Sequence, residues 1–215
     1  LMEASKPHPV IWTIYGTPSF YQKYPGETTK WPSWKGIASP PKDMGTLTAF
    51  VRAVIARYGD RVVGFETWNE PTFPWSGASR WDSAFASSQG NNYPFFSGTP
   101  AELAQMQMAS KAGCGNKIAF SPAFVDAWKQ GTDQIPKFFA AFPSGDPKPF
   151  VDAFAFHNYD YSKTPATAVD VIDGYRAILK MYGMGSIDIW DNESGAEAGG
   201  VFYAGDPQAP VSISR

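Results

Sequence analysis

Asp152-Ala153-Phe154-Ala155-Phe156-His157-Asn158-Tyr159 alternates small and large side chains with the two-residue period of a β-strand. Alternation puts Ala153, Ala155, His157 and Tyr159 on one face and the two phenylalanines on the other. Small residues inside and bulky ones beneath helices suit a wall strand of a (β/α) barrel. His157 and Tyr159 then point toward the mouth. Taken alone, His157 is equally well a satisfied core histidine.

The flanking chain carries the same signal. Strands are expected at Val10–Gly16, Val62–Trp68, Lys117–Ser121 and Ile187–Trp190, each an apolar or β-branched run ended by a turn signal. Between them lie helical patterns. Asp43 caps a stretch with Leu47, Phe50, Val51, Val54, Ile55 and Tyr58 at helical spacing, stopped by Gly59. Thr99-Pro100-Ala101-Glu102 is a capping-box start. Asp133–Phe142 and Pro165–Tyr182 are the remaining helices, the last with Val169, Ile172, Tyr175, Ile178 and Leu179 on one side. Strict strand–helix alternation implies a parallel α/β sheet.

Strand starts near residues 10, 62, 117, 152 and 187 give two late steps of 35 residues, close to the roughly 31 per unit of a barrel of about 250 residues. The first two steps carry about 20 extra residues each, both placed after a strand. Loops after strands build the active face of a barrel. The 215 residues therefore form one domain with five clear units. They match strands three to seven of a (β/α)₈ TIM barrel, with strands one, two and eight not evident. We expect a fragment or an incomplete wall. A doubly wound nucleotide-binding sheet is the rival, but Gly113-Cys114-Gly115 precedes its strand and lacks the third glycine of the fingerprint.

Composition narrows the chemistry. Lys and Arg total 18 against 20 Asp and Glu, a net charge of −2, so no basic face favours nucleic acid. No apolar run approaches a membrane span, and Leu1–Pro9 has no signal-peptide pattern. One cysteine, Cys114, and two histidines leave no multi-cysteine or multi-histidine metal site, and neither metal nor cofactor is expected. The chain holds 8 Trp, 10 Tyr and 16 Phe, which serve either as a large core or as flat platforms for sugar rings. Trp31, Trp34, Trp75 and Trp81, in the long loops, are the platform candidates.

Two segments carry acids at strand ends. In Phe65-Glu66-Thr67-Trp68-Asn69-Glu70-Pro71, unbroken alternation would put Glu66, Trp68 and Glu70 on one face, with Glu70 at the mouth and Glu66 roughly 13 Å deeper. Glu66 is expected as a buried carboxylate held by an arginine or by hydrogen bonds. Glu70 alone is equally a solvent-facing loop acid. Its partner is Glu193, at the end of Ile187-Asp188-Ile189-Trp190-Asp191-Asn192-Glu193-Ser194-Gly195. In a closed barrel these two ends converge across the mouth. Two carboxyl groups on one ligand is the constellation of glycoside hydrolysis, one protonated and one ionised.

FETWNEP resembles the acid/base segment of clan A glycoside hydrolases, and its longer form is most similar to family 39, the β-xylosidases and α-iduronidases. DIWDNESG resembles the clan's nucleophile strand, although Asn192 stands where Thr is frequent, and FHNY resembles its His/Tyr segment. The resemblance spans about Val10 to Gly195. It implies a retaining double displacement on an oligo- or polysaccharide, with Glu70 as acid/base and Glu193 as nucleophile. It also implies that Asn69 bonds the sugar 2-hydroxyl, that Tyr159 orients Glu193 and that His157 lines the glycone site. Retention requires carboxyl groups about 5–5.5 Å apart, inversion about 6.5–9.5 Å. A non-catalytic carbohydrate-binding protein with the same aromatic cleft is the alternative, and an aromatic protein-docking scaffold a further rival. A polysaccharide substrate favours secretion.

Weaker patterns are set aside. Ser39-Pro40-Pro41-Lys42 has the S-x-x-K spacing but not the helical context. Asp188, Asp191 and Glu193 lack calcium-loop spacing. Asn192-Glu193-Ser194 is formally a glycosylation sequon at a poor acceptor site.

Overall fold

The computed structural model describes residues 8–25, 37–71, 96–125, 130–158 and 165–194. Strands and helices alternate in chain order: β1 (Val10–Thr13), α1 (Met44–Tyr58), β2 (Val62–Glu66), α2 (Pro100–Cys114), β3 (Ile118–Phe120), β4 (Phe124–Val125), α3 (Gln130–Ala140), β5 (Ala153–Asn158), α4 (Pro165–Met181) and β6 (Asp188–Ser194). Every strand pair is parallel, β1 on β2, β2 on β3, β3 and β4 on β5, and β5 on β6.

β3 and β4 are two halves of one wall position. Phe120 lies opposite Ala153, while Phe124 and Val125 lie opposite Phe156 and His157. Ser121-Pro122 separates the halves. Proline has no N–H for the ladder, and the Ser121 hydroxyl instead accepts the Ala155 N–H at 2.9 Å. The wall therefore has the five positions expected, with the third broken by a proline.

The positions follow chain order without the reversal that marks a doubly wound sheet. Helices cover one face. Phe65, Phe124, Phe154 and Phe156 pack there with Val51 of α1, Leu103 and Met106 of α2, Phe138 and Phe139 of α3, and Tyr175 and Leu179 of α4. The other face carries a separate cluster of Phe120, Ala123, Ala153 and Ala155, with Ile11 and Ile118 against it, all strand or strand-junction residues. The alternation in β5 thus separates the faces as its sequence implies.

This second face is concave. In a flat sheet β2 and β6, three strand spacings apart, would sit about 14 Å from each other. Yet the Asn192 side chain on β6 donates a hydrogen bond to Glu66 on β2. Only a curled sheet lets side chains meet across that span. The fold is a half-barrel of α/β type, and among the described residues β1 and β6 do not pair with each other.

Local chemistry explains the helix starts. Asp43 accepts the Gly45 N–H at 2.8 Å. Thr99 and Glu102 exchange reciprocal bonds, Glu102 N–H to Thr99 Oγ1 at 3.2 Å and Thr99 N–H to Glu102 Oε2 at 2.6 Å. The apolar stripe expected on α4 is only partly buried: Tyr175 and Leu179 are inside, whereas Val169 and Ile172 are exposed. The sheet curls away from the first turns of α4, and spacing alone carries no information about what a stripe faces. Phe50 on α1 is likewise exposed. No helix among the described residues is long and apolar enough to cross a membrane.

Candidate active site

Three strand ends build the site. The first is the extension of β2. The strand proper stops at Glu66, but the chain keeps one more parallel contact, Asn69 opposite Ala123. The Ala123 N–H donates to Trp68 O at 3.0 Å and the Glu70 N–H donates to Ala123 O at 3.0 Å. Glu70 then leaves the strand with a φ of +48°, in the left-handed region. A non-glycine residue there stores about 1–3 kcal/mol, a cost that clusters at functional sites.

The alternation expected for the segment does not hold beyond Glu66, where the regular strand ends. Trp68 does not share the concave face with Glu66. It is fully buried in the helix-side cluster, edge-on to Phe96 at 5.1 Å and tilted against Tyr15 at 5.4 Å. Glu70 reaches the mouth through its backbone turn rather than through strand periodicity.

The second end is that of β5, where His157 is buried at 2 % side-chain exposure. The third is that of β6. Its register shifts between Phe156 and His157, so that Phe156 faces Asp191 while His157 faces Glu193, and Asn192 is the extra residue of a β-bulge. Without the bulge, Glu193 would alternate away from Trp190, whose ring packs edge-on against Phe120 on the concave face at 5.2 Å. With it, Trp190, Asn192 and Glu193 all turn inward.

The result joins the three groups expected at the mouth. His157 Nδ1 lies 2.8 Å from Glu70 Oε1, and His157 Nε2 lies 3.6 Å from Glu193 Oε2. One oxygen of Glu70 and one of Glu193 lie within 4.8 Å of each other. Glu70 is half-buried and Glu193 is open to solvent. Asn69 is half-buried beside Glu70. Tyr159 and the tryptophans 31, 34, 75 and 81 lie outside the described residues.

The electrostatics follow from this crowding. Burial alone would lower the His157 pKa. The hydrogen bond to Glu70 and the charges of Glu193, Glu70 and Glu66 outweigh it and raise the pKa above its ordinary 6.5. Glu66 moves upward too, because burial outweighs the Asn192 hydrogen bond and the attraction of His157. Tyr15 is raised by partial burial and then by the charge of Glu70.

A metal ion would need one imidazole nitrogen and both carboxylates on a common point. The three groups offer one atom each within 4.8 Å of one another, but here Nδ1 is hydrogen-bonded to Glu70 while Nε2 makes a 3.6 Å ion-pair contact with Glu193.

Two participants, Asn192 and Tyr15, go beyond the site residues expected from sequence, and a third, Glu66, joins the site from its expected buried place. Glu66, expected as a buried carboxylate held by an arginine or by hydrogen bonds, is one, and its described hydrogen-bond partners are Asn192 and Thr13. Asn192 carried no signal except its departure from the threonine frequent in the resembling strand. Tyr15 sits beside Glu70, and its one sequence cue is its place at the end of the first apolar run.

No family model matches the chain, and no curated protein matches it by sequence. Solved structures do match. The endo-1,4-β-xylanase from Caldicellulosiruptor owensensis aligns over 76 % of this chain and 44 % of its own, at 16 % identity and a TM-score of 0.46. A GH10 structure from Paenibacillus barcinonensis aligns over 89 % and 50 %, at 12 % identity and a TM-score of 0.47. A psychrophilic glycoside hydrolase family 10 endo-β-1,4-xylanase aligns over 75 % and 46 %, at 12 % identity and a TM-score of 0.45. The chain spans about half the length of these structures. At such identities and TM-scores the likeness assigns no chemistry.

Proposed function

We propose that this chain is the catalytic domain, or the larger part of one, of a retaining glycoside hydrolase of clan A type. The observation that carries the reading is the pair of strand-end carboxylates, Glu70 and Glu193, with oxygens within 4.8 Å of each other across His157. Such an oxygen-to-oxygen approach favours the roughly 5–5.5 Å carboxyl spacing of retaining enzymes over the spacing of about 6.5–9.5 Å that leaves room for a water between base and sugar in inverting ones. The FETWNEP motif adds a family 39-like signature, whereas two of the similar solved structures are named as family 10 proteins. The clan is the level at which the proposal is made.

In the first step the ionised Glu193 attacks the anomeric carbon. The bond to the leaving oxygen breaks, and protonated Glu70 delivers its proton to that oxygen. A glycosyl ester on Glu193 remains. In the second step Glu70, now ionised, takes a proton from water as the water attacks the same carbon, and Glu193 is released as carboxylate. His157 holds Glu70 by Nδ1 at 2.8 Å and faces Glu193 by Nε2 at 3.6 Å. Asn69 and Tyr159 are assigned to the sugar hydroxyls and to the orientation of Glu193 respectively.

The test is a panel of nitrophenyl glycosides, with the anomer of the first-formed product read by NMR. Wild type should release product with retained configuration. Glu193→Gln should abolish turnover. Glu70→Gln should lose about 10²–10⁴-fold on nitrophenyl substrates and least on dinitrophenyl ones, whose leaving group needs no proton. Wild-type rates in both variants would sink the assignment. Sugar binding without turnover by the wild type would instead establish a carbohydrate-binding module.

A further inference from the structure

The bulge at Asn192 decides where Glu193 points. A regular strand would send Glu193 to the helix side, away from His157, because successive side chains alternate. The extra residue reverses this, and the register places Glu193 directly opposite His157. An extra residue on a strand needs something to hold it, since it leaves the ladder locally unpaired. Here the holder lies across the concave face. The Asn192 amide donates to the Glu66 carboxyl, 126 residues earlier and at the far side of the wall. Glu66 is fully buried on the last residue of β2, so it is a rigid anchor. The reaction as written gives Glu66 no part in bond making or breaking.

We propose that Glu66 and Asn192 are a positioning pair, in which the buried Glu66 carboxyl grips the bulge residue Asn192 and thereby aims the adjoining Glu193 at His157 and toward Glu70. Its kinetic consequence rests on the retaining-glycosidase reading, but the geometric claim does not. The contact also explains why the position before Glu193 is asparagine. An amide reaches Glu66 and donates to it, and a valine or leucine there would do neither. The burial that raises the Glu66 pKa strengthens the need for a donor, because a buried carboxyl without one is costly in either protonation state.

The chain has two histidines, His8 and His157, so imidazole titration by NMR gives a clean readout. Among the described residues, charged groups that act on His157 are Glu70 and Glu66 from the β2 end and Glu193 from β6. Asn192 is uncharged, so replacing it reaches the His157 midpoint either by moving Glu193 or through the charge of Glu66, which Asn192 supports, and the double variant below separates the two routes. In Asn192→Ala the midpoint should fall toward that of Glu193→Gln, with His8 unchanged. In Asn192→Ala/Glu193→Gln it should fall no further than in Glu193→Gln alone. On a turned-over nitrophenyl glycoside, Asn192→Ala should lose on the order of 10²-fold in kcat with little change in KM, as expected for misplacement by about 1 Å. Asn192→Ser, whose hydroxyl is too short to reach Glu66, should behave the same way and serves if the alanine variant folds poorly. A wild-type His157 midpoint in the folded Asn192 variants overturns the positioning pair. Absence of turnover by every form, wild type included, overturns the enzymatic reading, while the titration still decides the pair.

Discussion

Glu102 is where the segment after β1 is fastened to the start of α2, on the side of the wall that carries the strand C-termini. Its carboxyl accepts from Lys23 Nζ at 2.7 Å, from the Tyr24 hydroxyl, and from the backbone and hydroxyl of Thr99 at 2.6 and 3.0 Å. Burial works against the charge, but the bonds from Lys23, Tyr24 and Thr99 outweigh it and lower the pKa from 4.5 to about 2. The change, roughly 2.5 pH units at 1.36 kcal/mol each, corresponds to about 3 kcal/mol. Lys23 is 44 % exposed, so water screens its share. We expect about 1–2 kcal/mol from the charge itself.

The perturbation is Glu102→Gln. Glutamine keeps the capping box and the shape but not the charge. Because the folded pKa is depressed, the stabilisation is present above pH 4.5 and is lost as the pH falls through about 2. Urea unfolding of both proteins should therefore differ by about 1–2 kcal/mol at about pH 7. The gap should shrink steadily below pH 4.5, to a small remainder near pH 2, where Glu102 is about half protonated, and close below that. A gap that stays constant across this range would refute the electrostatic account and point to packing differences. A gap near zero at neutral pH would show that the ion pair contributes nothing beyond the cap.

His157 gives a pH dependence of opposite sign. Its folded pKa lies above 6.5, so its attraction for the carboxylates stabilises the fold fully below that value and is lost as the pH rises through the raised midpoint. Melting temperatures of wild type and His157→Gln should be furthest apart in mildly acidic buffer and converge in alkaline buffer; the reverse trend would refute the bridge. Gly64 on β2 has no room for a side chain: a Cβ there would meet the Ile118 carbonyl at 2.3 Å and the Phe120 ring at 2.7 Å. Gly64→Ala should cost about 1–3 kcal/mol in urea unfolding. A neutral substitution would mean that the wall is looser at β2 than described.

Much of the wall was legible in the chain. The five strand positions, the Thr99 capping box and the split of β5 into an alanine face and a phenylalanine face follow from local periodicity and capping chemistry, which short-range sterics and hydrogen bonds control. The two acids were legible as well, because each ends a strand. The places where periodicity misled are those where the backbone departs from regular structure. Ser121-Pro122 broke a strand in two, the end of β2 at Glu66 broke the alternation before Trp68, the positive φ of Glu70 turned the chain at the mouth, and the bulge at Asn192 reversed the alternation before Glu193. The stripe on α4 failed differently, for what a helix buries depends on its neighbours.

The amino-acid sequence by itself therefore determined the order of elements, the parallel wall and the identity of the acids. Each of these depends on residues near one another in the chain. Only the tertiary structure decided that Glu70, His157 and Glu193 converge, that His157 bridges the carboxylates and that Glu66 holds Asn192. Those contacts join residues up to 126 positions apart, and they arise from the curl of the sheet and from two local irregularities. Curl is a collective outcome of strand twist and of packing on both faces, so no single segment encodes it.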